Sequence, residues 1–220
     1  AFKLSGTGTG TPGEVLTYTW EQNNDATVVG GTSTFPSPTK TDGPNFRSVV
    51  PDLTPIRYMP KFSDVLNGTL TNTWETVSSV PRSLSFALTV RDNVIGGGQT
   101  NTAAMTVNVV NISGAFAFTS PNAPVSWGLG STQTITWNVA GTTANGVNAA
   151  NVDILLSTNG GLTFSIPLAM NVPNDGNETI TVPNLLGNTN RIMVRGHDNI
   201  FYDVTTNKLA NVNMFLTRDM

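Results

Sequence analysis

Leu84-Ser-Phe-Ala-Leu-Thr-Val-Arg-Asp-Asn93 decides the fold class. Leu84, Phe86, Leu88 and Val90 recur at every second position, with Ser85, Ala87, Thr89 and Arg91 between them. A period of two with one apolar and one wetter face predicts a half-buried β-strand. The run ends in Asp92-Asn93 and then Gly96-Gly97-Gly98, so the strand is expected to stop in an oxygen-rich loop of low steric bulk. A similar pattern returns at Arg191–Asn199 (RIMVRGHDN). Two strands of this kind, each followed by an acid-amide loop, indicate two similar β-domains.

Working outward, further alternating runs occur on both sides. Val15–Glu21 (VLTYTWE) places Leu16, Tyr18 and Trp20 on one face, with Trp20 as an expected core anchor. Ala103–Val110 places Met105, Val107 and Val109 inward. Phe116 and Phe118, then Gln133–Val139 with Ile135, Trp137 and Val139, begin a second series. It continues through Val152–Leu156, Ser165–Asn171, Thr179–Val182, Arg191–His197, Phe201–Val204 and Ala210–Leu216. Strands at this spacing with turn signals between them predict a sandwich, and no stretch carries a helical period. The expected architecture is all-β, two tandem immunoglobulin/fibronectin-like β-sandwich domains. Residues 1–112 form the first and 113–220 the second, joined at Asn111-Ile-Ser-Gly114. About residues 22–73 read as a long irregular insertion broken by six prolines and by glycines, with short extended pieces at Phe46–Val50 and Ile56–Met59.

Composition narrows the function classes. Charged residues make up 11% of the 220, against roughly 25% in ordinary soluble chains. A net charge of −3 with no basic run argues against nucleic acid, whose binders need a basic stripe to displace counterions. Cysteine is absent, which removes disulfides, thiolate metal sites and cysteine nucleophiles. No apolar run has the length of a membrane-spanning helix. The chain opens on a strand-like segment without an initiator methionine, as a piece of a longer exported precursor is expected to do. Gly6-Thr-Gly-Thr-Gly10 leads into Thr11-Pro-Gly-Glu14 and a strand. A phosphate cradle needs a helix at that point, so the glycines are expected to form a plain turn.

Candidate chemistry is confined to loops. Hard cations take clustered carboxylate, amide and carbonyl oxygens, which makes Asp92 and Asn93, and Asp198, Asn199 and Asp203, candidate calcium ligands. Asn174, Asp175 and Glu178 form a further acidic turn. His197 beside Asp198 is a candidate acid–base pair, although no nucleophile motif accompanies it. Trp74 and Trp127 neighbour turns outside clearly alternating strands and are candidate ligand-binding aromatics. Arg57-Tyr58 admits a ligand-binding reading beside the plainer one of pinning a long loop. Ser157–Phe164 (STNGGLTF) resembles an Asp-box hairpin, with Asn159 in place of the acid and Phe164 in place of Trp; that motif implies a turn and no activity.

Taken in order, Leu16–Gln22 (LTYTWEQ), Phe46–Pro60, Leu84–Asn93, Phe118–Asn122 (FTSPN), Thr134–Gly141 (TITWNVAG), Val152–Thr163 (VDILLSTNGGLT), Pro173–Pro183 (PNDGNETITVP) and Arg191–Asp203 cover most of the chain. This ordered set resembles the C-terminal β-sandwich accessory region of secreted reprolysin-like zinc metallopeptidases of Bacteroidetes-type bacteria. The resemblance implies a non-catalytic module, extracellular or at the cell surface, whose partners are the upstream catalytic domain of the same chain and an extracellular protein or polysaccharide. Zinc is implied only for that catalytic domain, since the H-E-x-x-H signature is missing here and His197 is the one histidine. A free-standing carbohydrate- or surface-adhesion module is the alternative.

Overall fold

The computed structural model describes residues 1–27 and 34–213. Its contacts divide the chain into one unit of Ala1–Asp64 with Thr69–Asn111 and another of Val65–Gly68 with Ile112–Met220. Strands dominate both, so the chain is an all-β protein of tandem β-sandwich domains.

In the first unit, β1 (Phe2–Ser5) precedes β2 (Thr17–Gln22) and β3 (Ile56–Met59). The longer β4 (Arg82–Arg91) and β5 (Thr100–Val109) follow. One layer is the antiparallel sheet β2-β4-β5 and the other the pair β1-β3. The alternation of the opening stretch holds for Leu84, Phe86 and Leu88 of β4, which are buried in the core, whereas Val90 is only half-buried and Ala87 of the other face is buried as well. The small second layer is completed by the irregular insertion, which buries Phe46 against Phe2 and Phe86, at ring separations of 5.5 and 6.2 Å.

Polar side chains hold that insertion in place. Asn45 is fully buried; its N–H donates to Gln22 Oε1 (2.8 Å) and its side-chain amide to Ser37 O (3.0 Å). Arg82 donates to the carbonyls of Lys40, at 2.9 Å, and Gly43, at 2.6 Å. Two expectations need correction. Phe46–Val50 forms no strand, only an isolated Phe46–Glu75 bridge. The insertion also contains a five-residue helix, α1 (Phe62–Leu66), too short to impose a helical period on the sequence.

The glycine-rich segment is another correction. Gly6, Gly8 and Gly10 do not turn; they carry β1 onward as an extended strap pressed flat on the sheet. A Cβ on Gly8 would sit 2.9 Å from Val90 Cγ1, and one on Gly10 would sit 2.9 Å from Leu16 Cδ2. Glycine at every second position is therefore required by close backbone approach to bulky side chains.

The second unit has β6 (Ala117–Ser120), β7 (Val125–Gly128), β8 (Thr132–Asn138) and β9 (Asn151–Ser157). After them come β10 (Ile166–Pro173), β11 (Asn177–Thr181), β12 (Gly187–Gly196), β13 (Tyr202–Val204) and β14 (Leu209–Val212). Sheet β11-β8-β6 faces sheet β10-β9-β12-β14-β7, with β13 also paired to β12. The early strands β6 and β7 lie in opposite sheets, and β7 runs parallel to the last strand β14. That distribution of strands is the immunoglobulin-like sandwich plan.

Ile135 and Trp137 of one sheet pack against Val152, Ile154, Leu156, Ile192 and Val194 of the other. β7 went unpredicted because four residues around a tryptophan carry too short a pattern. The predicted last strand also reaches into residues 214–216, outside the described residues. Arg191–Val194 departs from the one-wet-face expectation. All four residues are buried, because Arg191 turns inward and donates to the carbonyls of Leu66 (2.8 Å), Thr205 (2.6 Å) and Thr206 (2.8 Å).

Candidate functional site

The structure puts the acid-amide loops to backbone use. Asp92 Oδ1 accepts the N–H groups of Val94 (3.2 Å) and Gln99 (2.9 Å), closing the β4–β5 hairpin. Asn93 adopts φ 57° and donates its amide to Val15 O at 2.8 Å. The Asp92 bonds are the usual local bonding of an Asx side chain in a turn, whereas the Asn93 bond reaches across to the segment before β2.

Asp198, Asn199 and Asp203 share a hairpin but do not converge. Asp198 points into solvent, its side chain 93% exposed. Asn199 Oδ1 accepts Ile200 N–H (2.8 Å), and Asp203 Oδ2 accepts Phe118 N–H (2.7 Å), tying β13 to β6. Among the described residues, no group of three or more histidine and carboxylate side chains is arranged to hold a metal ion.

Within the acidic turn, Asp175 Oδ1 accepts Asn177 N–H at 3.3 Å and Glu178 Oε1 accepts Thr179 N–H at 2.9 Å. Asn174 instead points into the core. The Asp-box-like stretch closes as the resemblance implies, with Asn159 Oδ1 accepting Thr163 N–H (3.0 Å) and Ser157 Oγ accepting Gly161 N–H (2.9 Å).

The single histidine has a partner that sequence reasoning missed. Strand pairing sets Arg195 of β12 directly opposite Asp153 of β9, and His197 lies one diagonal step further on the same face. The Asp153 carboxylate is buried. It takes Arg195 Nε at 3.0 Å and Nη2 at 2.9 Å, pairs with His197 Nδ1 at 2.7 Å and accepts Asn171 N–H at 3.1 Å. Asp198, the sequence neighbour, is 3.7 Å from the other ring nitrogen. Contact across strands had no signal in the linear order, since residues 153 and 197 are distant along the chain.

These contacts shift two carboxyls in opposite directions. Burial would raise Asp153, but the His197, Asn171 and Arg195 contacts outweigh it and hold the group below the usual aspartate range. Burial pushes Asp203 up despite its bond from Phe118. The signs then follow by linkage. Asp153 contributes stability above the ordinary aspartate value of about 3.9, and that contribution is lost as pH falls through its lower folded value. Asp203 loses stability as pH rises from that ordinary value through its raised folded one. Urea midpoints measured from strongly acidic to neutral pH should therefore rise on Asp203→Asn at the neutral end. Asp153→Asn should lower them and remove part of the loss on acidification; equal pH profiles for the wild type and both variants would contradict these assignments.

The two candidate tryptophans part company. Trp127 lies in β7 and packs, half-buried, against the second core. Trp74 remains 48% exposed. Its backbone is fixed, because its N–H donates to Asn72 Oδ1 (2.7 Å) and its carbonyl accepts Arg47 N–H (3.3 Å). Phe35 meets its ring at 5.7 Å and 60°, and the Arg47 guanidinium carbon lies 5.9 Å from the ring centroid. Trp74, Phe35 and Arg47 thus form a surface array offering aromatic faces and a cation. Phe35 and Arg47 carried no sequence signal, because each lies far from residue 74 along the chain.

No protein-family model matches this chain, and no curated protein matches it. Among solved structures it is similar to the FN1–FN3 domains of chicken CNTN1, at 6% identity and TM-score 0.27, covering 91% of this chain and 58% of that one. It is similar to a chimeric titin Z1Z2–Z1Z2 tandem carrying a GRGDS peptide from fibronectin, at 12% identity and TM-score 0.27, covering 93% and 87%. The N-terminal four Ig domains of Dscam1 isoform 8.4 match at 14% identity and TM-score 0.22, covering 94% and 40%. The chain therefore spans less than two thirds of the CNTN1 and Dscam1 chains. Superpositions this loose carry no argument, and the sandwich assignment rests on the strand pairing itself.

Proposed function

We propose that this chain is a non-catalytic accessory module of a secreted bacterial zinc metallopeptidase, working outside the cell to hold an extracellular protein or polysaccharide surface near the catalytic domain. The observation that carries the binding role is the exposed Trp74–Phe35–Arg47 array on a rigidly bonded backbone. Aromatic faces with an adjacent guanidinium suit the C–H faces and hydroxyls of sugars, and equally an apolar-polar protein surface. The ordered resemblance supports the metallopeptidase parent.

Retention of the chain on immobilised polysaccharides and on matrix proteins tests the binding role. Trp74→Ala is expected to weaken retention about tenfold, from the loss of roughly 1–1.5 kcal/mol of ring stacking. Unchanged retention would take the array out of the proposal. The parent is tested separately, by an H-E-x-x-H sequence in the same reading frame upstream of Ala1. Its absence, with tight polysaccharide retention, would favour the free-standing adhesion module.

A further inference from the structure

The strap and sheet β2-β4-β5 enclose an open groove of about 860 Å³ in the first unit, lined on one side by Thr7–Thr11 and on the other by Thr100–Ala103. Its floor is Val90 of β4 with Leu16, beside the buried Leu88, and Ala103, directly opposite Leu88 in the register, extends this apolar shelf into solvent.

Both walls carry unused backbone. β5 ends its sheet, with β4 on one side and no strand on the other among the described residues. The pairing of β1 with β3 runs out at Gly6, whose N–H reaches Pro55 O at 3.1 Å. Beyond it, the N–H and C=O groups of Thr7–Gly10 have no protein partner among the described residues. An extended backbone with donors and acceptors at strand spacing, standing over an apolar shelf, is the arrangement that captures another strand. Among the described residues, the charged ones lining the groove are Glu14 and Asp92, with no lysine or arginine.

We infer that this groove binds an extended, basic peptide by strand addition. The peptide's backbone pairs along Thr7–Gly10, alternate small apolar side chains rest on Val90 and Ala103, and flanking lysine or arginine meets Glu14 and Asp92. A sugar would leave the strap's alternating donors and acceptors poorly matched, whereas a peptide backbone repeats them at the same interval. The acidic lining selects a basic occupant over a second copy of this chain, which carries net negative charge. The inference does not rest on the Trp74 array, which lies on other residues.

The test titrates the whole chain into a fluorescein-labelled peptide of alternating valine and threonine with lysine at each end, followed by anisotropy. Saturable binding is expected, with amide-exchange protection gained at Thr7–Gly10. N-methylation of alternate peptide amides should weaken it about tenfold or more, since each lost backbone bond is worth roughly 1 kcal/mol. Glutamate in place of the lysines should weaken it as well. Ala103→Arg, at an exposed edge-strand position, should abolish binding while leaving the circular dichroism unchanged, and Trp74→Ala should leave binding intact. A flat titration up to millimolar peptide, or affinity indifferent to N-methylation, would overturn the inference. So would a dimer in sedimentation that Ala103→Arg dissociates, because a second copy would then be the occupant.

Discussion

Arg57→Met is expected to lower the unfolding free energy of the first unit by about 3–5 kcal/mol, the cost of leaving a buried ion without its partner. Arg57 is buried and donates to Trp20 O at 2.5 Å, Arg47 O at 2.6 Å and Glu75 Oε1 at 2.6 Å. The other Glu75 oxygen accepts Lys61 N–H at 2.7 Å. One guanidinium thus ties β2, β3 and two parts of the insertion together, and its planar fork satisfies groups that an ammonium could not reach at once.

Arg57→Lys should accordingly recover only part of the loss, and Arg57→Met with Glu75→Gln should recover more, because no naked carboxylate remains. Urea unfolding followed by tryptophan fluorescence reads all three. A loss below about 1 kcal/mol for Arg57→Met, the range of an exposed pair, would mean that the insertion is held by Phe46 and its neighbours instead.

In the second unit, Asn174→Leu should have the largest effect, a loss of about 2–4 kcal/mol from stranding several buried polar groups. Asn174 is buried, as is Trp137. Its Oδ1 accepts the Trp137 indole N–H at 2.9 Å, and its Nδ2 donates to Thr142 Oγ1 at 2.9 Å and Ala149 O at 3.0 Å. Leucine has similar bulk but can make none of these bonds. Asn174→Asp can supply a donor only while its carboxyl is protonated, so it should fall between wild type and leucine at acidic pH and below leucine once ionised. The check is a thermal melt of each variant at acidic and neutral pH. Equal melts for wild type and Asn174→Leu would show that packing alone seats Trp137.

These two residues also mark how far the sequence could be read. Arg57 and Asn174 both stood among ligand candidates or beside them, since a polar side chain in a loop looks the same in one dimension whether it meets a ligand or its own backbone. Burial separates the cases, and burial is a property of the fold. Asp92 and Asn93 read as calcium candidates for the same reason, since a cation ligand and an Asx side chain bonded to backbone look alike in one dimension. The strand that carries Trp127 was not legible, because it is short and its pairing partner β14 comes at the far end of the second unit.

What the sequence determined alone is whatever repeats at short range. The alternation in Leu84–Val90 and Gln133–Val139 dictated strands and their inner faces. Glycine, proline and Asx dictated where strands stop, and a low charge content without cysteine dictated the broad class. Tertiary structure decided everything that depends on approach between distant residues: the Asp153–Arg195–His197 contacts, the Trp74–Phe35–Arg47 array, and the conversion of Gly6–Gly10 from an expected turn into a strap. The reason is physical. Backbone sterics and side-chain alternation act over a few residues, whereas hydrogen bonds, ion pairs and close packing act over a few ångströms, and only the folded chain makes those two distances coincide.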